Sequence, residues 1–362
     1  MKMKILIVNP GSTSTKMGLY DGETPIFEKT LRHQTEELTP FERVGDQYDF
    51  RKGIIREELT SQGVKLTDLA GVVGMGGLLA PLAGGTYVVN DVMVDDLRSG
   101  KYGEHASNLG GLIARALADE VGIPSYIVDP VVVDEMEDIY RFSGHPEITR
   151  KSIFHALNQK AIARKYCAEH GKRYDEVNLI VAHMGGGISV SFHNKGRVID
   201  TNNALDGCGP FTPERSGGLP AGDLAALCFS GKYTHAQIKK MITGGGGVSA
   251  YIGTNSMMDL EKRAENEPDM KLLMDALSTQ VAKEIGGLSA SACGKLDAIL
   301  LTGGIAYGKP IVSEITRRVG FIAPVHAYPG EDELLALSQG ALRVLKGEEE
   351  AKIYQGKPIF GV

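Results

Sequence analysis

The sequence is short of the features that mark several protein classes. Its 39 Lys and Arg against 45 Asp and Glu leave a net charge of −6. No block of Lys or Arg stands out, which argues against nucleic acid or an anionic membrane as the main partner. No stretch is long and apolar enough to cross a bilayer, which takes roughly 18–20 residues. The apolar run from Ile5 to Val8 is too short for a secretion signal and leads into Asn-Pro-Gly. The four cysteines, Cys167, Cys208, Cys228 and Cys293, have no paired spacing that suggests zinc or a redox dithiol. A cytoplasmic, reduced protein is the expectation. The G-x-G-x-x-G dinucleotide fingerprint is missing. Gly303-x4-Gly308-Lys309 resembles a nucleotide P-loop, but Pro310 stands where Ser or Thr must bind magnesium. Pro310 is instead expected to open a helix.

What is present reads as a globular chain with real cores. Apolar residues make up 42% and charged residues 23%. A length of 362 residues suggests two or three domains at about 150 residues each. The chain opens with a buried strand at Ile5–Val8, a small-residue loop from Asn9 to Ser14, and strands near Thr15–Tyr20 and Ile26–Leu31. The same order returns at Leu179–Ala182, His183 to Gly187, Ile188–Phe192 and Val198–Asp200. Asn9 aligns with His183, Gly11 with Gly185, Ser12 with Gly186 and Thr13 with Gly187. A second pair, Leu69 to Leu78 and Leu296 to Ile305, is an apolar strand ending in Gly-Gly in both copies. Two matches in the same order predict a duplicated α/β domain.

Helices are expected over Glu104–Val121, over Thr149–Glu169 with Thr149 as N-cap, and over Leu334–Leu345. The stripe His155, Asn158, Gln159 would line a cleft or form a solvated face. Gly244 to Gly247 reads as a flexible loop, and the tail from Glu348 has no clear pattern.

Loops of Gly, Ser and Thr let backbone N–H groups approach phosphate oxygens. Two of them on opposite domains would grip a polyphosphate from both sides. Thr302-Gly303-Gly304 would let the backbone approach a base or ribose closely. Asp129 follows an apolar run and precedes Pro130, so it should sit at a strand end, where open α/β sheets bind ligands. Arg215 lies in a turn-rich loop and serves a ligand or a surface ion pair with Glu214 or another acid. His105, at the start of a helix, and His183, at the end of a strand, are functional or structural.

Seven motifs together carry a resemblance. They are Asn9-Pro10-Gly11-Ser12-Thr13-Ser14-Thr15-Lys16, Gly103-Glu104-His105-Ala106-Ser107-Asn108, Val128-Asp129-Pro130 through Glu135, Ser152 through Lys160, Ala182-His183-Met184-Gly185-Gly186-Gly187, Pro213-Glu214-Arg215-Ser216-Gly217 and Leu301-Thr302-Gly303-Gly304-Ile305-Ala306-Tyr307. With them the chain resembles the butyrate kinases, relatives of acetate and propionate kinases in the actin-like ATPase superfamily. The resemblance implies two actin-like (ribonuclease H-like) domains around a nucleotide cleft. One spans 1–145 and is completed by the C-terminal helix and tail 337–362; the other spans 146–336. It implies transfer of the γ-phosphoryl group of ATP to a short-chain fatty acid, reversibly, by a homodimer or larger homo-oligomer.

By the same resemblance Asn9, Asp129 and Glu333 belong to a Mg²⁺ site, with Asp332 as the alternative to Glu333. Arg215, Asp129, His183 and His105 would be catalytic. Asn9, Gly11, Ser12, Thr13, Ser14, His183, Gly185, Gly186, Gly187, Gly303, Gly304 and Ile305 would hold the nucleotide. Gln159 falls where acetate kinases carry His, a butyrate kinase trait. Met75 stands where butyrate kinases usually carry Arg, so a cation expected near the acyl or phosphoryl group is missing. The alternative is therefore a nucleotide-binding ATPase or weakened kinase with little acyl transfer. A fatty acid with a pKa near the carboxylate reference of about 4.3 is already ionised at neutral pH. It needs no general base, whereas a sugar or polyol acceptor would want one, such as Asp129.

Overall fold

The computed structural model describes residues 3–358. The last four residues of the expected 337–362 segment therefore lie outside the described residues. In chain order the strands are β1 (Lys4–Pro10), β2 (Ser14–Asp21), β3 (Thr24–Arg32), β4 (Gly71–Gly74), β5 (Thr86–Val88), β6 (Ser125–Val128), β7 (Asn178–Met184), β8 (Ile188–Asn194), β9 (Arg197–Thr201), β10 (Ala298–Gly303), β11 (Val325–Pro329) and β12 (Lys352–Ile353). They form one sheet of order β12-β5-β6-β4-β1-β2-β3 and another of order β11-β10-β7-β8-β9.

The duplication expected from the sequence is visible strand by strand. β1 and β2 pair antiparallel, as do β2 and β3, while β4 and β6 continue the sheet in parallel with β1. β7, β8, β9, β10 and β11 repeat every one of those pairings. Even the irregularity recurs: the register slips between Leu19 and Tyr20 and between Phe192 and His193. Such a bulge re-aims a strand and is a built feature of a sheet. The loops differ by one residue. Pro10 pairs with Thr15, but Met184 pairs with Ile188, so the alignment of Thr13 with Gly187 loses register inside the loop.

β1 is apolar on consecutive residues because both of its faces are covered. Helices Asn108–Asp119 and Glu333–Leu345 both pack on this sheet. A Cβ on Gly74 would strike the Gly110 backbone, and one on Gly71 would approach Leu345. These two positions have opposite parity on β4, so the helices lie on opposite faces.

The chain forms two compact units. One runs to Val133 and resumes at Asp332; the other is Asp134–Glu331. The first crossing precedes the expected boundary at 145. Asp134 pairs with Arg141 at 2.7 Å and Glu135 with Lys160 at 2.9 Å, which ties this segment to the second unit. The second crossing falls just before the helix Glu333–Leu345, so the whole helix sits in the first unit.

Several local expectations differ from the structure. The first of the expected helices, over Glu104–Val121, is Asn108–Asp119, so His105 precedes it in a turn. The second is Ala156–Glu169, and Thr149 does not cap it. The residues before it are held in extended and bent backbone by tertiary contacts. Arg150 reaches Asp200 at 3.0 Å, and Ile153 bridges Asn203. Asn158 and Gln159 are buried rather than facing a cleft or solvent. Gln159 donates to the Ser189 carbonyl at 3.1 Å and pairs with His193 at 3.0 Å. Gly244–Gly247 is not loose: a Cβ on Gly247 would lie 1.8 Å from the Thr212 carbonyl oxygen. Pro310 sits in the first turn of the helix Lys309–Val319. The tail adds β12 to the edge of the first sheet.

Candidate active site

In the first unit, Asn9 lies at the carboxyl end of β1. The loop Gly11–Ser14 follows and closes on itself, with the Gly11 N–H donating to the Ser14 carbonyl at 2.7 Å. The Asn9 amide donates to Glu333 Oε2 at 2.7 Å, and Lys16 Nζ stands 3.7 Å from the same oxygen. Asp332 is occupied differently, accepting from the Leu335 N–H at 2.9 Å as the helix N-cap. Asp129 follows β6, at the same carboxyl end of the parallel strands as Asn9. It is 2% exposed, has φ +38° and accepts from the Gly85 N–H at 2.6 Å. Positive φ at a non-glycine residue is a strained conformation that clusters at functional sites.

Met75 directly follows β4 and is half-buried. Its backbone is so close to Gly110 that a Cβ there would lie 2.4 Å from the Met75 carbonyl oxygen. Asn108 fastens the same turn by accepting from the Leu78 N–H at 2.8 Å. His105 is exposed, and its Nδ1 bonds within its own turn, 2.8 Å from the Ser107 hydroxyl.

In the second unit, His183 occupies the place in β7 that Asn9 occupies in β1, and it is 1% exposed. The Gly185–Gly187 loop closes through the Gly185 N–H and the Gly187 carbonyl at 2.9 Å. The Thr212 hydroxyl holds the Gly186 carbonyl at 2.6 Å. Arg215 lies against this loop. A Cβ at Gly187 would fall 1.8 Å from Arg215 Nη1, so only glycine permits the approach. Arg215 Nη1 also donates to the Ala204 carbonyl at 3.0 Å.

The imidazoles of His155 and His183 stack with centroids 4.1 Å apart. His155 Nδ1 is 2.8 Å from the Ser189 hydroxyl. Burial, followed by the nearby His183 and Arg215, holds His155 well below the ordinary histidine value, so it is neutral at pH 7. Burial also lowers Arg215 from its ordinary value. His183 Nδ1 and Arg215 Nε are both buried without a hydrogen-bond partner among the described residues. Buried polar atoms normally find partners, so such atoms are available to a ligand or to water.

Beside this loop is a cavity of about 520 Å³ lined by Gly185, Gly186, Pro213, Asn255, Glu261, Gly304, Ile305 and Gly308. Gly303 has φ +86°, and a Cβ there would meet the Met184 backbone at 2.4 Å. That close approach sets the Gly304–Ile305 wall against the end of β7. Burial raises the Glu261 carboxyl from its ordinary value.

The structure thus gathers His183, Gly185–Gly187 and Arg215 around one loop, with Gly304 and Ile305 in the adjoining wall. It joins Asn9 to Glu333, with Gly11–Ser14 next in the chain. Sequence reasoning assigned no role to His155, although it lies in both the polar stripe and a quoted motif. Glu261 carried no sequence signal, being a charged residue within an ordinary helical stretch.

The acetokinase family matches residues 143–322. Butyrate kinase 2 of Clostridium acetobutylicum is 55% identical over 356 residues, covering 98% of this chain and 100% of that protein. Butyrate kinase 1 of the same organism is 55% identical over 353 residues, covering 97% and 99%. Among solved structures, the acetate kinase of Porphyromonas gingivalis superposes with a TM-score of 0.75 at 17% identity, covering 95% of this chain and 100% of that one. The likeness shows that the expected actin-like α/β fold is the fold present.

Proposed function

Because this chain belongs to the acetokinase family, we infer that it is an ATP-dependent kinase of short-chain fatty acids, with butyrate or a branched-chain analogue as acceptor. The observation that carries this reading is end-to-end identity of 55% to two butyrate kinases. Neither of these two relatives is described as the alternative, a nucleotide-binding protein with little acyl transfer.

The chemistry follows from charge. One carboxylate oxygen forms a bond to the γ-phosphorus, the bond from that phosphorus to the β–γ bridging oxygen breaks, and ADP leaves with the electron pair. No proton has to move. Two unit charges 4 Å apart repel by about 4 kcal/mol at an effective dielectric of 20. Arg215 and His183 are assigned to offset that repulsion at the transferring phosphoryl group, together with His105. Their unpartnered Nε and Nδ1 atoms support the assignment for Arg215 and His183. Phosphoryl transfer depends mostly on such positioning and electrostatics.

Gly11–Ser14 and Gly185–Gly187 are assigned to the phosphates, and Gly303–Ile305 to the nucleoside. The half-buried carboxyl of Glu261 suits a ribose or base donor. Asn9, Asp129 and Glu333 are assigned to Mg²⁺. The fit rests on donor chemistry: an amide and a carboxylate stand side by side at Asn9 and Glu333. Magnesium takes one or two carboxylates and keeps waters and phosphate oxygens. Among the described residues no cluster of three or more His, Cys, Asp or Glu forms a closed cage. When bound, Mg²⁺ would neutralise phosphate charge.

Among the described residues no helix is long and apolar enough to cross a membrane. With four free cysteines, this supports a cytoplasmic location. The exposed Ile139, Phe142 and Ile148 on one short segment support a homodimer or higher homo-oligomer. Trapping acyl phosphate with hydroxylamine tests the activity across acetate, propionate, butyrate, isobutyrate and valerate. Each buried CH₂ is worth about 0.8 kcal/mol, so the preference for butyrate over acetate should be about 15-fold. No hydroxamate from any acid, or a preference for acetate, rejects the reading.

A further inference from the structure

Arg51 is the largest fully buried side chain among the described residues, with an exposure of 0%. It lies on the helix Tyr48–Ser61, well apart in sequence from the Gly11–Ser14 loop. Its hydrogen-bond partners are neutral. Nη1 donates to the Gly11 carbonyl at 2.8 Å, the Ser14 carbonyl at 3.0 Å and the Thr15 hydroxyl at 3.1 Å. Nη2 donates to the Ser12 carbonyl at 3.0 Å. Gln47 Oε1 accepts from Nε at 3.0 Å and from Nη2 at 2.8 Å.

The remaining loop carbonyl, that of Thr13, accepts from the His33 N–H at 2.9 Å. All four carbonyls of the loop are therefore drawn inward. The N–H groups of Ser12 and Thr13 have no partner among the described residues, and both residues are exposed. A loop in this state presents donors and hides the oxygens that would repel an anion. Burying a cation is costly unless something compensates it. Here the compensation is a set of neutral carbonyls, so the positive charge is not cancelled by a carboxylate among those partners. Burial lowers Arg51 to about 10, so it stays charged at pH 7. His33, beside Thr15 at 2.9 Å, is held below its ordinary value first by burial and then by Arg51, and stays neutral.

We propose that Arg51 is a positioning residue for nucleotide binding: it orients the Gly11–Ser14 loop as a phosphate cradle and lends it positive potential from behind. The proposal rests on the kinase reading above. It goes beyond that reading by placing the determinant of phosphate affinity on a residue that touches no substrate.

The test uses the full chain with Arg51→Met, Arg51→Lys and Gln47→Leu. Two quantities are read: ADP affinity by calorimetry without acceptor, and separate KM values for ATP and butyrate with kcat. Losing a fixed donor set of this kind should raise the ADP Kd and the ATP KM of Arg51→Met by about tenfold or more. The butyrate KM should stay within about twofold, since the loop is not assigned to the acid. Arg51→Lys should fall between Arg51→Met and the wild type, because an ammonium keeps the charge but not the fork. Gln47→Leu keeps Arg51 but removes the acceptor of Nε, and should raise the same two quantities by about threefold. If Arg51→Met does not fold, the other two variants decide. Folded variants with wild-type ADP affinity and ATP KM overturn the proposal, as does a fall in kcat alone, which would mark a purely structural role. A wild type that binds ADP but makes no acyl phosphate would sink the kinase reading while leaving the ADP comparison intact.

Discussion

Asn9 and Glu333 lie 324 positions apart in sequence, yet the Asn9 amide donates to the Glu333 carboxylate at 2.7 Å. Asp332, one residue away, is used as a helix cap. The two acids should therefore separate on mutation. Glu333→Gln should raise the Mg²⁺ concentration for half-maximal activity by about tenfold, the upper range for lost metal-site interactions being larger. Asp332→Ala should leave that concentration unchanged and cost about 1 kcal/mol of stability through the lost cap. Magnesium titrations and chemical denaturation distinguish them, and a reversed pattern assigns the metal to Asp332.

Arg215 packs against Gly187 so closely that no side chain fits between them. Arg215→Ala should lower kcat by roughly 10²–10³, the range for losing one charge-stabilising donor. Gly187→Ala should reproduce much of that loss by displacing the guanidinium. Unchanged turnover in folded Arg215→Ala rejects its role.

Two histidines make stability depend on acid. His155 is depressed by burial, then by His183 and Arg215. His193 is depressed by burial, then by Lys160 and Arg164. For a depressed histidine the unfolded chain binds the proton first. Stability is thus fully present above the unfolded value near 6.5 and declines as pH falls below it. Each group contributes a slope of up to about 1.4 kcal/mol per pH unit. Urea unfolding between pH 5 and 8 should show this decline, and His193→Asn should have a shallower one. A flat profile in the wild type excludes buried neutral histidines.

Glu261 lines the cavity beside the Gly185–Gly187 loop. Glu261→Gln should raise the KM for ATP by about threefold to tenfold while leaving the KM for butyrate unchanged, as loss of one charged hydrogen bond implies. An effect on butyrate rather than ATP would move this residue to the acid site.

Met75 is half-buried directly after β4. One alternative source of positive charge, Lys101, is engaged with Asp96 at 3.2 Å. Arginine would supply a forked cation where methionine supplies only bulk. Met75→Arg should raise kcat/KM for butyrate by about tenfold, equivalent to ~1.4 kcal/mol. No gain in either Met75→Arg or Met75→Lys means that methionine is the fitted residue at this position.

What the amino-acid sequence determined by itself is local or periodic. The hairpins after β1 and β7, the apolar strands β4 and β10 that lead toward Gly76-Gly77 and Gly303-Gly304, and the helix Glu333–Leu345 were all legible, although β4 already ends at Gly74. Alternation, glycine and apolar runs act over a few residues. The repeat could be aligned because two copies carry the same local signals in the same order. Tertiary structure decided the rest. Thr149 has the chemistry of a cap, but the pull of Arg150 toward Asp200 and the bridge from Ile153 to Asn203 delay the helix to Ala156. Gln159 looked like a surface or cleft residue and is buried against Ser189 and His193. The choice of Glu333 over Asp332 beside Asn9, the stacking of His155 on His183 and the grip of Arg51 on the loop at Gly11 join residues from separate elements. No local propensity encodes such contacts, because their energy exists only once the chain has closed on itself.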